Sequence, residues 1–315
     1  MTYSHIPVLP NEVLEYLAPA AIGFPAEGSG CFMVQGNMGE GGHAELFLEK
    51  FPGLHVLGID ADGAILNVAR ERLQGFGDRV GYYEGWSNDW FKGGAPEGAP
   101  NLILFDLGIS SFHYEKSGRG FSFKTEDEPL DMRIDINGKV SAADLIARLG
   151  ESELANLLYQ YGEERYSRRI ARAIIDERKR GAIMTSGALA KIIEGAVPPA
   201  YRHGRIHPAT RSFQALRIAV NGELDSLEGL LQSALAKLAP GGRMGVISFH
   251  SLEDRIVKNL FKTVSMPIDK ERNSLNNLGD YKIITKKPVV PGDAERLANS
   301  ASRSAKFRVV EKLHA

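Results

Sequence analysis

The sequence predicts a doubly wound α/β domain carrying an all-helical insertion, on three observations. Short continuous apolar runs alternate with amphipathic helical patterns over the first third of the chain. That alternation stops after the fourth run, and the long stretch that follows is helical in pattern throughout. A glycine-rich turn closes the first run and an acid ends the second, the order in which open α/β sheets build a nucleotide site.

The β-favouring runs are CFMV at 31–34, HVLGI at 55–59, VGYY at 80–83, LILF at 102–105 and RMGVISF at 243–249. GHAELFLEKF follows the first and ADGAILNVARERLQGF the second, each helical in period and each closed by Pro or Gly. Continuous apolar strands need cover on both faces, and the intervening helices supply it, so the sheet is expected to be parallel and Rossmann-like. From Phe112 to Arg211 the chain reads as a loop and then as the helices SAADLIARLG, ESELANLLYQYG and EERYSRRIARAIIDERKRG. One long helical pattern, ATRSFQALRIAVNGELDSLEGLLQSALAKLAPGG, leads to the last strand and stops at Pro-Gly-Gly. The expected division is a discontinuous parent domain, residues 1–112 and 211–315, around an inserted helical domain of residues 113–210. An insertion after the fourth strand would overhang the carboxyl edge of the sheet, where ligands bind. The polar stretch KERNSLNNLGDYK, 270–282, is expected to be a loop.

Composition narrows the function classes. A chain of 315 residues has room for one large core or two smaller ones, at about 150 residues per domain. The formal net charge of -1 means that binding to a polyanion must come from local basic patches. A single cysteine, Cys31, excludes an internal disulfide framework and a cysteine-rich zinc cluster. The first residues lack a basic region followed by an apolar one, and no run reaches the roughly 18 apolar residues of a membrane span, so a cytosolic protein with no membrane partner is expected.

GEGGHA, 39–44, satisfies the dinucleotide pattern G-x-G-x-x-A, and Asp60 falls about 20 residues beyond its first glycine, at the end of the second strand. Glycines let a ligand approach the backbone, the helix N-terminus attracts an anionic group, and the acid takes ribose hydroxyls. The bland alternative is a tight turn, with Asp60 capping the following helix. The motif alone does not decide between NAD and S-adenosylmethionine, and the absence of Gly-Lys-Ser/Thr excludes a P-loop. Asp106 ends the fourth strand in LILFDLGISS. Packing explains an acid there poorly, because an unpaired buried carboxylate is costly; an Asx-turn is the competing explanation.

HIPVLPNEVLEYL, GEGGH, DLGISS, GRGFSF, PLDMR, YGEERYSRRIARAI, HPATRSFQALRIAVNGEL and ISFHSLEDRIVK occur in this order. Together they closely resemble the RsmH (MraW) family, the S-adenosylmethionine-dependent methyltransferases of cytosine N4 in bacterial 16S ribosomal RNA. The resemblance runs from about His5 to the C-terminus. It implies a methyltransferase sheet with an inserted helical substrate-recognition domain, acting on a decoding-centre (P-site) cytidine of the small ribosomal subunit. It also implies a cofactor site: Gly41, Gly42 and His43 in the loop, Asp60 on the ribose, and Asp106 at the end of strand four. Trp86 is the candidate to flank the adenine, with Ser87 occupying that position if the alignment is ungapped, and His113 stands where relatives often carry Gln. Gln35 departs from the family's usual Asp-Gly-Thr-x-Gly opening, and so lacks the negative charge that would favour a sulfonium or ammonium. Ser300 stands where the family tends to have Pro.

Cytosine N4 is a poor nucleophile because its lone pair is delocalised into the ring, so attack needs a hydrogen-bond acceptor on its N–H. Asp106, or a backbone carbonyl beside it, is the candidate acceptor, with in-line alignment supplying the rest. The sulfonium is already activated and requires no metal. The target base must be single-stranded or extruded. His250, Glu253 and Asp254 lack a diagnostic metal-ligand set. Ser251 is expected to cap a helix there, with His250 forming a polar wall of the catalytic site; His207 reads similarly, and either histidine could instead satisfy a buried hydrogen bond.

The helix EERYSRRIARAIIDERKRG is rich in arginine, and Arg165, Arg168, Arg169 and Arg172, extended by Arg202, Arg205 and Arg211, are the candidate RNA contacts. The alternative is a solvated face with Glu164–Arg168 and Asp176–Arg180 pairs. Phe121 and Phe123 could stack on bases, although core packing is the default for Phe. Two rival functions remain at this stage, an NAD-dependent oxidoreductase, supported only by the glycine motif, and an inactive ribosome-binding relative, supported only by Gln35.

Overall fold

The structure, a computed structural model, describes residues 6–20, 30–93, 98–204, 206–266 and 281–313. The chain forms two compact units, Met1–Ser110 with Leu224–Ala315, and Ser111–Glu223. The first unit opens with α1 (Pro10–Leu17), β1 (Cys31–Gly36), α2 (Gly42–Lys50), β2 (Leu54–Asp60), α3 (Gly63–Leu73), β3 (Val80–Glu84), α4 (Ser87–Gly93) and β4 (Leu102–Asp106). The second unit holds α5 (Ser111–Glu115), α6 (Ala142–Arg148), α7 (Glu151–Gly162), α8 (Ser167–Arg178), α9 (Ser186–Ala196), α10 (Pro199–Arg202) and α11 (Thr210–Asn221). The chain then returns through α12 (Glu223–Lys237), β5 (Arg243–Ser248), α13 (Ser251–Val264), β6 (Tyr281–Ile283), α14 (Asp293–Ala298) and β7 (Lys306–Lys312).

The seven strands pair in the order β3-β2-β1-β4-β5-β7-β6. β1 to β5 are parallel, and β7 runs antiparallel to both β5 and β6. This is a Rossmann-like doubly wound sheet with an antiparallel edge, and its strand order reverses between β1 and β4, which opens a crevice at their carboxyl ends. Strand residues alternate between two cores, as a pleat requires. Met33, Leu102 and Leu104 pack on one face with Phe47, Leu66 and Phe307, while Val34, Ile103 and Phe105 pack on the other with Phe91, Leu231 and Phe261.

Several expectations are corrected. The long pattern from residue 209 is two helices, not one: Gly222 takes a left-handed φ of 59° and ends α11 before α12 starts. One glycine leaves the hydrophobic period intact, so the break is invisible in the pattern. α11 accordingly belongs to the helical unit, where Gln214 Nε2 donates to Tyr161 O at the end of α7 (3.2 Å), and the division falls at 223/224 where residues 210/211 were expected. Helix α8 starts at Ser167, since Glu163 is left-handed and closes α7. Strands β6 and β7 were not foreseen; part of the expected loop at 270–282 is β6, and residues 270–280 lie outside the described residues. In β7 the polar letters of KFRVVEK disguise four consecutive buried residues, one of them the ion-paired Arg308.

Candidate active site at the carboxyl edge of the sheet

The glycine turn is shaped by close approach and by backbone handedness. A Cβ on Gly36 would come within 2.5 Å of the Phe105 ring and 2.9 Å of Ser87 Oγ. Asn37, Gly39 and Gly41 all take left-handed φ, 55°, 57° and 79°, which Asn tolerates and Gly adopts freely. The turn is stitched to the end of β2: Met38 N donates to Ile59 O (2.9 Å) and Gly39 N to Asp60 Oδ2 (2.9 Å). Gly41 caps α2, so Gly42 and His43 form its first turn, with backbone N–H groups and the positive helix end at the crevice.

Asp60 does not cap the next helix. Asp62 does, accepting from Ala64 N at 3.0 Å, while Asp60 Oδ1 accepts from Asp62 N at 3.1 Å. Asp60 therefore holds the glycine turn in place through both carboxylate oxygens. Gly85 N donates to Asp60 O (2.8 Å), which sets the half-buried Trp86 beside that acid, and Ser87 opens α4 under Gly36. Gln35 is buried, its Nε2 lies a long 3.5 Å from Met38 O, and its Oε1 has no hydrogen-bond partner among the described residues.

Asp106 stands opposite Ile247 of β5. Its side chain is only 16% exposed, and Oδ1 is buried with no hydrogen-bond partner among the described residues, which removes the Asx-turn explanation. Burial and the nearby Glu253 carboxylate push its pKa up to about 7. Oδ2 lies 3.6 Å from Nδ1 of His43, whose Nε2 is 2.8 Å from the Val8 carbonyl. A carbonyl only accepts, so the ring hydrogen sits on Nε2.

Across the crevice, His250 and not Ser251 caps α13: Glu253 N donates to His250 Nδ1 (3.4 Å), and Glu253 Oε2 accepts from Phe249 N (2.8 Å) and His250 N (3.2 Å). Glu253 Oε1 is 3.2 Å from His250 Nε2 without hydrogen bonding to it, so the ring is held through Nδ1. The sequence reading gave Glu253 no part in placing His250; the His-x-x-Glu spacing of a capping box was the available signal. Asp254 faces away from this cluster, paired with Arg308 (2.7 Å) and Lys306 (3.2 Å). Among the described residues no group of three His, Cys, Asp or Glu side chains could hold a metal ion, and no helix is long and apolar enough to cross a membrane.

The remaining expected residues belong to the helical unit. His113 is buried edge-on against Phe121, itself buried, at 5.4 Å between centroids. Phe123 stacks on His207 at 4.2 Å, and His207 is held by Ala209 N and Glu194, so both rings serve local packing. Arg168, Arg169 and Arg172 are exposed on α8. The expected Glu164–Arg168 pair is absent among the described residues, because Glu164 is fully buried and accepts from Tyr201 Oη (2.7 Å) and Tyr166 N (2.8 Å). Asp176 pairs with Lys179 and Glu177 with Arg180 in place of the expected Asp176–Arg180. Arg165 lies over the rings of Tyr166 and Tyr201, at 5.0 and 4.8 Å. Arg202 donates to the carbonyls of Val197 and Gly195 at the end of α9, and half-buried Arg211 reaches Tyr201 Oη at 3.4 Å. Arg205 lies outside the described residues.

The model of the MraW methylase family matches residues 2–313. The ribosomal RNA small subunit methyltransferase H of Treponema denticola is 50% identical over 318 residues, covering 98% of this chain and 97% of the relative. The protein of the same name from Geobacter sulfurreducens is 47% identical over 320 residues, covering 99% and 100%. Among solved structures, an rRNA methylase from Streptococcus thermophilus superposes with a TM-score of 0.43 at 10% identity, covering 99% of this chain and all of the other.

Proposed function

The chain belongs to the MraW methylase family, and we propose that it transfers a methyl group from S-adenosyl-L-methionine to the exocyclic N4 of a P-site cytidine in 16S ribosomal RNA of the small subunit. As a methylase of this family it uses S-adenosyl-L-methionine as methyl donor. The crevice fits that donor: Gly36 leaves the space a Cβ would fill, the α2 N-terminus presents N–H groups, and Gln35 Oε1 is a buried acceptor without a partner among the described residues. Gly41, Gly42 and the His43 backbone would hold its methionine end, Asp60 the ribose, and Trp86 with Ser87 the adenine. When bound, the donor supplies a methyl group already activated on a sulfonium.

The observation that carries the mechanism is the buried, unpartnered Oδ1 of Asp106. An acceptor in that state is completed by an N–H donor from the substrate. As the N4–methyl bond forms, the sulfur–methyl bond breaks with its electron pair left on sulfur, and the surplus N4 proton passes to Asp106. A carboxylate pushed up to about 7 can take that proton and return it to water near neutral pH. His250, fixed by Glu253, walls the base. The exposed Arg168, Arg169 and Arg172 are proposed to meet RNA phosphates, and Arg165, Arg202 and Arg211 to brace that surface; the name of the two relatives supports a ribosomal RNA substrate.

Transfer of labelled methyl to small subunits from a strain lacking the enzyme tests the assignment. Asp106→Asn is expected to bind the donor and to lose transfer; wild-type transfer by that variant would overturn the role. Calorimetric binding of S-adenosylmethionine and not NAD separates this function from an oxidoreductase, and no binding of either would favour an inactive ribosome-binding relative.

A further inference from the structure

We propose that the His43 side chain is a positioning residue for proton transfer, forming with Asp106 a pair that receives the N4 proton, and that only its backbone faces the donor. The inference rests on Asp106 being the acceptor of that proton. Three elements build the pair. The N-terminal segment supplies the Val8 carbonyl, which takes the Nε2 hydrogen at 2.8 Å and so fixes the tautomer. Pro7 lies against Gly42, where an added Cβ would meet it at 3.0 Å, and this holds the segment over the first turn of α2. The ring, 3% exposed, is left with its Nδ1 lone pair turned towards Asp106 Oδ2 at 3.6 Å.

With both groups deprotonated, the Nδ1 lone pair and the carboxylate oxygen Oδ2 face each other inside the protein, and protonation of the carboxyl group at Oδ1 removes its charge and relieves that repulsion. Charge then balances through turnover. The pair starts at -1, takes the N4 proton at Oδ1 as the carbon–nitrogen bond forms, and ends neutral before release to water. Among the described residues, Glu253 adds a carboxylate that strengthens Asp106 as a base, His250 lies beside Glu253 at the start of α13, and Glu40, buried three residues before His43, is a further acid on the glycine turn. His43 therefore sets how strong a base Asp106 is while leaving the donor's affinity untouched. The histidine of the glycine motif gains a side-chain role distinct from the backbone role its position implies.

The variant His43→Gln separates the two roles, because the longer amide can still donate to Val8 O but offers no acceptor at the Nδ1 position. Its pH profile for methyl transfer to small subunits is expected to have its acid limb about one pH unit lower, with kcat down by about tenfold at most and the KM for S-adenosylmethionine within twofold of wild type. An unmoved acid limb with a tenfold higher KM for the donor would overturn the proposal and make His43 a donor ligand; an unmoved profile with unchanged constants would overturn it as well. ¹⁵N-histidine spectra of the wild-type chain need no variant to fold: His43 should show the Nε2–H tautomer, and an Nδ1–H tautomer would sink the pair. Asp106→Asn keeps the outcomes apart, since transfer retained by that variant defeats the acceptor assignment itself, whereas transfer lost there with His43→Gln unaffected defeats the pair alone.

Discussion

The carboxyl end of β4 and the seam between α13 and β7 each screen an aspartate from water, and they treat it in opposite ways. At the seam, burial pushes Asp254 up, but its hydrogen bonds and charge interactions with Arg308 and Lys306 outweigh burial and hold it below the usual range. At β4, Asp106 meets a second carboxylate and the His43 ring in place of an arginine or lysine, and one oxygen has no partner among the described residues. A buried carboxylate completed by arginine joins two elements of the fold. One left without a cation costs stability, which is the mark of a group kept for chemistry.

The largest effect expected from breaking this contrast is on catalysis. Asp106→Asn should lower methyl transfer by about 10²-fold or more, read as labelled methyl on small subunits. The same variant should be the more stable protein above pH 7. A folded pKa raised from 3.8 to about 7 means that wild-type stability is full below 3.8 and is lost as pH rises through 7. Each unit of that shift is worth about 1.4 kcal/mol, so thermal melts at pH 8 should separate the two proteins and melts below pH 3.8 should not. Arg308→Met should do the reverse, costing about 3 kcal/mol by leaving Asp254 buried without its main partner, with donor binding by the folded fraction unchanged. Because the folded pKa of Asp254 is lowered, that loss should shrink as pH falls below 3.8, measured by urea melts across the acid range.

The same distinction divides the arginines of the helical unit. Arg178 donates to Ile146 O and Leu149 O at the end of α6, and Arg202 to the end of α9, so both act as helix caps. Arg168 and Arg169 are exposed, with no hydrogen bond or ion pair among the described residues. Arg168→Glu with Arg169→Glu is expected to weaken small-subunit binding about tenfold at low salt and to flatten its salt dependence, with the affinity for S-adenosylmethionine unchanged in calorimetry. The smallest effect belongs to Gln35→Asp. A charge at this buried position should tighten donor binding several-fold at most, roughly 1 kcal/mol, and weaker binding would show that Gln35 Oε1 already serves the donor.

The first five strands, the glycine turn and the acids at the ends of β2 and β4 were legible because each follows from short-range pattern: continuous apolar letters, punctuation by glycine, and an acid where a strand stops. Ordered motifs over the whole length marked the family. Long-range partners left no such trace. Gly222 looks like any tolerated glycine in an amphipathic period, and β7 hides because Arg308 is buried only by virtue of Asp254, 54 residues away.

By itself, then, the sequence determined the five parallel strands and the crevice at their carboxyl ends, since periodicity and glycine placement act within a few residues of themselves, while the ordered family motifs pointed to the kind of ligand. Tertiary structure decided which polar groups are completed and which are not. The Val8 carbonyl lies 35 residues from His43, and only folding brings it to the Nε2 hydrogen and leaves Nδ1 towards Asp106. A side chain's proton is placed by the partners that desolvation leaves it, and those are settled only when the core closes.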